Sequence, residues 1–309
     1  MQSLADKHLL LLDLIGQRPI HYVDIPVHGN IGDLLIMLGT LAFFDRHGLD
    51  PKFCASAFAY KTEWIEPGDV VVFHGGGNFG DLYSEYGMQP LREHVVATYP
   101  NNRVIVLPQT IHFSSEQEKQ RSACVFRSHP DVHICVRDQA SYEIARAFTD
   151  HVYLMPDMAH QLYPLAGNPA ASAAGSLLIS RVDGEKKTQH DPAGLGAVAV
   201  TDWPQLVGTR ERRIERFRYA MRMMHKSGTG WLGNKMLSRL WADYANKLKD
   251  SAVGLFSSHE LIITDRLHGH ILACLMDKPS LVLDNSYGKN SGYVRTWTKD
   301  SELVSLEHA

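Results

Sequence analysis

Four side chains near the C-terminus have types and spacing suited to chemistry. Asp265, Arg266, His268 and His270 surround Gly269, between the apolar run 261–264 and a second apolar run, 271–276. The first run reads as a buried strand and the second as a helix. A strand-to-helix turn of this kind lies at the C-terminal edge of a parallel sheet, where open α/β folds bind ligands. The helix start turns free N–H groups and the positive end of its dipole toward the turn. With Arg266 and His268 beside it, the turn suits an anion such as a phosphate or carboxylate. His268 and His270 form an HxH pair, but no third and fourth ligand follows at metal spacing, so no metal is assigned. His270, one step into the helix, reads as a residue that holds the turn in shape.

Other candidates also fall at strand ends. Arg181 ends the strand 176–180 and is a natural second anion clamp, or else an exposed salt-bridge partner. Asn30-Ile31-Gly32-Asp33 opens a helix. Asp33 either complements the helix dipole or faces the cleft as a base. His74-Gly75-Gly76-Gly77-Asn78 lets the backbone approach a ligand closely, or is simply a tight turn. It matches neither GxGxxG nor the P-loop pattern. Arg137 with Asp138 and Ser141 reads as a helix cap and internal ion pair.

The elements that must position these residues alternate. Strands are expected at 21–25, 69–73, 103–107, 133–136 and 152–155, with a helix from Leu34 to His47 closed by Gly48. A small-residue stretch, 166–175, reads as an interdomain linker. Further strands are expected at 176–180, 261–264 and 280–283. Alternating strands and helices mean parallel, doubly wound sheets. The expected fold is therefore α/β, with two Rossmann-like domains facing a cleft, over 1–168 and 176–309.

The 309 residues suffice for two domains. A net charge of −3 argues against nucleic acid as a partner. Cys54, Cys124, Cys135 and Cys274 lack CxxC spacing and read as reduced thiols of a cytoplasmic protein. The leucines at 9–12 lie between Asp6 and Asp13 and read as an amphipathic helix, not a signal peptide. The tail from Glu302 is weakly patterned, and Leu306-Glu307-His308 resembles an expression-vector scar, so it is set outside the fold. Between Thr209 and Lys226 seven Arg and Lys accompany Ile214, Phe217, Met221 and Met224 at helical spacing, with Trp231 and Trp241 following. Such a helix either packs its stripe on its own domain or lies peripherally on an anionic membrane, with contact through 209–241.

Seven motifs, in order, resemble the polysaccharide pyruvyl transferase family. They are Gly29-Asn30-Ile31-Gly32-Asp33, His74-Gly75-Gly76-Gly77-Asn78, Leu107-Pro108-Gln109-Thr110, Arg137-Asp138-Gln139-Ala140-Ser141, Pro156-Asp157, Ile179-Ser180-Arg181 and Asp265-Arg266-Leu267-His268-Gly269. The resemblance implies a GT-B-like fold. It also implies transfer of a pyruvyl group from phosphoenolpyruvate, a co-substrate with no further cofactor, to sugar hydroxyls. The acceptor is expected to be a saccharide of exopolysaccharide or cell-wall synthesis, often lipid-linked. His268 is then the expected acid–base residue. Arg181, Arg266, Leu267, His268 and Gly269 are expected on the donor side. Asp33 is expected to orient or deprotonate the acceptor hydroxyl, beside Asn30, Gly76, Gly77, Asn78 and His112. The alternatives are a nucleotide-sugar glycosyltransferase of the same fold and a non-catalytic saccharide- or anion-binding module.

Overall fold

The computed structural model describes residues 1–83, 87–167, 174–182, 191–284 and 288–307. The short helices α1 (Gln2–Asp6) and α2 (Leu10–Ile15) precede the first sheet. That sheet holds β1 (Ile20–Val23), β2 (Phe53–Ala55), β3 (Val70–Phe73), β4 (Gly76–Gly80), β5 (Val104–His112), β6 (Val132–Val136) and β7 (His151–Leu154). Between them run α3 (Ile31–Arg46), α4 (Met88–Thr98), α5 (Glu116–Arg127) and α6 (Gln139–Ala145). The order is β2-β1-β3-β5-β6-β7, with β4 joined to β5, and every pairing is parallel. β1, β3 and β6 are buried along their whole length, as parallel strands covered on both faces must be.

The second sheet holds β8 (Ser176–Ile179), β9 (Ala197–Thr201), β10 (Leu261–Thr264), β11 (Ser280–Val282) and β12 (Val304–Leu306), again all parallel. Its helices are α7 (Trp203–Val207), α8 (Glu211–Ser227), α9 (Gly230–Ser257), α10 (Leu267–Leu275) and α11 (Lys289–Tyr293). The order β9-β8-β10-β11-β12 repeats the first sheet's plan. In each, the chain starts inside the sheet, steps to one side, then returns to build the other. The strand order therefore reverses between β1 and β3 and again between β8 and β10, and at such points the loops splay apart to leave a crevice. This is a two-sheet, Rossmann-like, GT-B-like architecture.

Three expectations need correcting. The tail is part of the fold: β12 pairs with β11, Leu281 opposite Ser305. The glycine turn after β3 continues as β4, because a Cβ at Gly75 would lie 2.8 Å from the Pro108 carbonyl oxygen and one at Gly80 only 1.7 Å from that of His112. Only glycine lets this segment lie against β5. The apolar stripe of α8 does not pack solely within the second half. Ile214 and Met221 are buried, Phe217 meets Trp241 with ring centroids 5.3 Å apart, and Trp241 Nε1 donates to the Pro26 carbonyl across 2.8 Å. Asn234 Oδ1 accepts from the Cys54 N–H, so the α8–α9 hairpin straps the second half to the first. Of the expected linker, 168–173 lies outside the described residues, as does His308.

Among the described residues, His8, His21, His74, His160 and His270 are almost inaccessible, and burial pushes all of them down, His8, His74, His160 and His270 to about 4, 3, 3 and 4 respectively. Below pH 6.5 the unfolded chain binds protons at these sites and the native chain does not. Stability is therefore present above pH 6.5 and is lost as pH falls toward 4, by about 1 kcal/mol per pH unit for each histidine. Asp24 is pushed up to about 6, first by burial and against Arg92 and Asn78, so it works in the opposite direction over part of that range. The free energy of urea unfolding is expected to drop steeply from pH 6.5 to 4.5. A flat profile would show that the native histidines titrate normally.

Candidate active site

The β1–α3 turn builds one wall. Asn30 caps α3: its Oδ1 accepts from the Gly32 N–H at 3.1 Å, and its Nδ2 donates to Asp33 Oδ2 at 2.8 Å. His28 Nε2 lies 3.6 Å from the same carboxylate oxygen. Burial acts to raise Asp33, but His28, His268, His74 and Lys289 outweigh it and hold the carboxyl below the usual range. Asp33 is thus an ionised hydrogen-bond acceptor and a weak base, better suited to orienting a hydroxyl than to deprotonating it.

His268 reaches this wall from the first turn of α10. A Cβ on Gly32 would lie 2.6 Å from His268 Nδ1, so the helix starts of the two halves can abut only because residue 32 has no side chain. The ring's other nitrogen, Nε2, is 3.3 Å from Asp157 Oδ2. Asp157 follows β7, on the first half. Burial would raise its carboxyl, but His268, Arg137 and the Ala159 N–H hold it well below the carboxylate range. An ionised carboxylate only accepts, so Nε2 carries the proton and neutral His268 leaves Nδ1 as a proton acceptor.

Asp157 is itself fixed. Arg137 Nη1 donates to its Oδ2 at 2.5 Å, and the Ala159 N–H donates to Oδ1 at 2.9 Å. Arg137 Nε donates to Thr110 Oγ1, Thr110 donates to Asp138 Oδ2, and Asp138 Oδ1 caps α6 at the Ser141 N–H. One hydrogen-bonded line therefore runs from the α6 cap to His268. Arg137 was expected to pair locally; its partner is Asp157, twenty residues on, while Asp138 is the cap.

Of the residues expected on the donor side, Arg181 is buried at the end of β8, its N–H donating to Asp265 Oδ1 at 2.9 Å. Arg266 grips Asp202 with two bonds, Nε to Oδ1 at 2.5 Å and Nη2 to Oδ2 at 2.6 Å. Its charge is thus already matched by a carboxylate, which weakens it as an anion clamp. Leu267 packs in the core and can offer a ligand only its backbone. Arg266 caps α10 without a side-chain bond to the helix. Gly269 permits close packing of α10 on β10, since a Cβ there would be 2.3 Å from Thr264 Oγ1. His270 is held by Ser280 and Thr298, away from the ligand turn.

The remaining residues expected on the acceptor side separate. Gly76 lies near Asp33, and a Cβ on Gly77 would be 2.9 Å from Lys289 Nζ and 3.4 Å from Arg137 Nη2. Gly77 therefore faces α11, whereas Gly76 faces Ile36 and Asp33 of α3. Asn78 does not offer its amide: Nδ2 donates to Asp24, and Oδ1 accepts from Arg92 and Gln109. It is a brace beneath the site. His112 pairs with Gly80, three residues along β5 from the Gly76–Gln109 rung, or ~10 Å from it. Reading the sequence missed Asp157 as the partner of His268, and it missed Lys289 and Asp202. The Pro156-Asp157 motif after a strand was the visible signal for the first. Lys289 follows Gly288, in the left-handed region at φ 74°, and no local pattern points it toward Gly77.

Asp202 also caps α7, accepting from the Trp203 N–H at 2.8 Å. Asp202→Ala leaves a buried arginine without its carboxylate and is expected to cost about 3–5 kcal/mol, read by urea unfolding. A loss below about 1 kcal/mol would mean that Arg266 does not depend on this pair.

The sequence profile of the polysaccharide pyruvyl transferases matches residues 30–287. EpsO of Bacillus subtilis (strain 168), a protein assigned as a pyruvyl transferase, is 39% identical, covering 100% of this chain and 95% of EpsO. Pyruvyl transferase 1 of Schizosaccharomyces pombe is 27% identical, over 91% of this chain and 70% of its own. The crystal structure of KP1_0663 from Klebsiella pneumoniae, titled as functionally uncharacterized, superposes with a TM-score of 0.62 at 19% identity over the whole of both chains, a likeness of fold alone. The two facing crevices and the His268 seam are thus those of a chain that belongs to the polysaccharide pyruvyl transferase family.

Proposed function

We propose that the protein transfers the pyruvyl group of phosphoenolpyruvate to two hydroxyls of a saccharide, forming a cyclic ketal and releasing phosphate, in exopolysaccharide or cell-wall glycan synthesis. The observation that carries this reading is His268, tied through Nε2 to Asp157 on the opposite half, with Nδ1 turned to Gly32 beside Asp33. A histidine fixed by an ionised carboxylate, at the meeting of two crevices, has the geometry of a general acid–base group.

In the proposed reaction Nδ1 exchanges the proton. Neutral, it accepts the proton of the attacking hydroxyl, and protonated, it delivers one to the methylene carbon. The hydroxyl oxygen bonds to C2, the C2–O bond to phosphate breaks, and the second hydroxyl closes the ketal. One hydroxyl proton ends on the new methyl group and the other on phosphate. Arg181 and the α10 N-terminus, through Leu267, His268 and Gly269, bind the donor's anionic groups. Lys289 adds a positive charge near Asp33 and Gly77. Arg266 contributes from within its pair with Asp202. Asp33 orients the acceptor, and Asn30 holds Asp33.

Phosphate release from phosphoenolpyruvate with a β-linked galactoside or glucoside tests the reading. His268→Ala is expected to lower the rate by about 10²–10⁴-fold, and release at the parent rate would remove His268 from the chemistry. Gly32→Ala is expected to melt below the parent temperature, because its methyl group would lie 2.6 Å from His268 Nδ1 and the two abutting helix starts must shift apart. Its methyl group fills the space against Nδ1, and turnover is expected to fall about 10²-fold. Phosphoenolpyruvate at about 100 times its Kd is expected to stabilise the protein by about 3 kcal/mol. Stabilisation by UDP-sugars with none by phosphoenolpyruvate would favour a glycosyltransferase instead.

A further inference from the structure

We propose that the tip of the α8–α9 hairpin docks the protein on an anionic lipid bilayer. The tip has the two features such a surface needs. Tyr219, Met223, Trp231, Met236 and Leu240 are 67%, 45%, 60%, 65% and 49% exposed, large apolar groups left in solvent. Residues 209–241 hold nine Lys and Arg against two Glu, in a chain of net charge −3.

The placement of the charges is informative. Glu211 and Glu215 both turn to Arg218, Arg222 lies over Phe58, Arg213 over Tyr244, and Lys235 pairs with Asp50. These cations serve the fold. Arg212, Arg216, Lys226 and Arg239 are exposed and have no ion-pair partner among the described residues. On α8, Arg212, Arg216, Tyr219, Met223 and Lys226 recur every three or four residues and so form one outward stripe. The Gly228–Thr229 turn brings Met223, Lys226, Trp231 and Met236 within ~10 Å of the hairpin end, measured along the helices.

Unpaired cations interleaved with separate Trp, Tyr and Met side chains match a headgroup layer. Arg and Lys meet lipid phosphates, while the aromatic and thioether groups enter the acyl boundary. Among the described residues no helix is long and apolar enough to cross a membrane, so the contact is peripheral. α8 also joins this surface to the cleft. Arg218 Nε donates to the Val27 carbonyl at 2.6 Å, and Glu211 lies against Gly29, beside Asn30 and Asp33. Glu211 to Met223 is ~18 Å along the helix. If the acceptor is the saccharide proposed above, a lipid-borne one would meet the Asp33 wall directly above the bilayer.

Co-sedimentation with vesicles tests the surface without any substrate, so its outcome is independent of the proposed reaction. The protein is expected to pellet with phosphatidylcholine–phosphatidylglycerol vesicles at low salt, to be released at high salt, and to ignore phosphatidylcholine alone. The pairs R212E/R216E and W231S/M236S, all at exposed positions, are expected to keep the parent melting temperature and weaken vesicle binding at least about tenfold. Three results would overturn the proposal. They are no pelleting at low salt, equal binding to neutral vesicles, or a stable dimer in solution that W231S/M236S dissociates.

Discussion

Asp157 carries a buried negative charge that both halves of the molecule need. It belongs to the first half, follows β7, and is fixed there by Arg137 and the Ala159 N–H. Its other partner, His268, starts a helix of the second half. A buried carboxylate without donors would be strongly penalised, and His268 supplies one of them from the second half. The two halves are therefore registered against each other by electrostatics as well as by apolar packing. The histidine is oriented by the same contact.

That registration has meaning because the two sheets share one plan. Each reverses its strand order after its first strand, and each opens a crevice there. In the first half the crevice is edged by the Asn30–Asp33 turn and by Gly76 and Gly77. In the second it is edged by Arg181 and the start of α10. Gly32 allows the two helix starts to meet, and Gly77 allows Lys289 to approach. The polar network behind them, from the Ser141 cap through Asp138, Thr110 and Arg137, is a rigid backing. It joins three separate segments, at 110, 137–141 and 157.

The central strands were legible because parallel strands covered on both faces must be continuously apolar: 261–264 was read with the bounds that β10 has. The strands that escaped carry no such pattern. β4 is built on glycines, β9 alternates exposed valines at an edge, and β2 and β12 are each three residues long. The turn at 265–269 was legible as a strand-to-helix junction from the apolar runs on either side of it. The roles within it were not. Arg266 has the type expected of a phosphate clamp, yet its partner Asp202 lies 64 residues earlier, and nothing near Arg266 announces it. Asn78 similarly looks like a ligand-facing amide until Asp24 and Arg92 are seen to claim it. Residue type states what a group can do, and long-range partners decide what it does.

The strap formed by α8 and α9 changes the mechanics of the cleft. In a pair of domains joined only by a linker, substrates enter by a scissor-like opening, and each turnover includes the time and entropy of reclosing. Here Trp241 and Asn234 anchor the second half's longest helix to Pro26 and Cys54 of the first. Wide opening would have to pull an indole out of a packed core. The relative pose of His268 and Asp33 is thus largely preset, and binding exchanges little domain freedom for order. The two walls of the cleft are held as a nearly fixed mould by that anchoring.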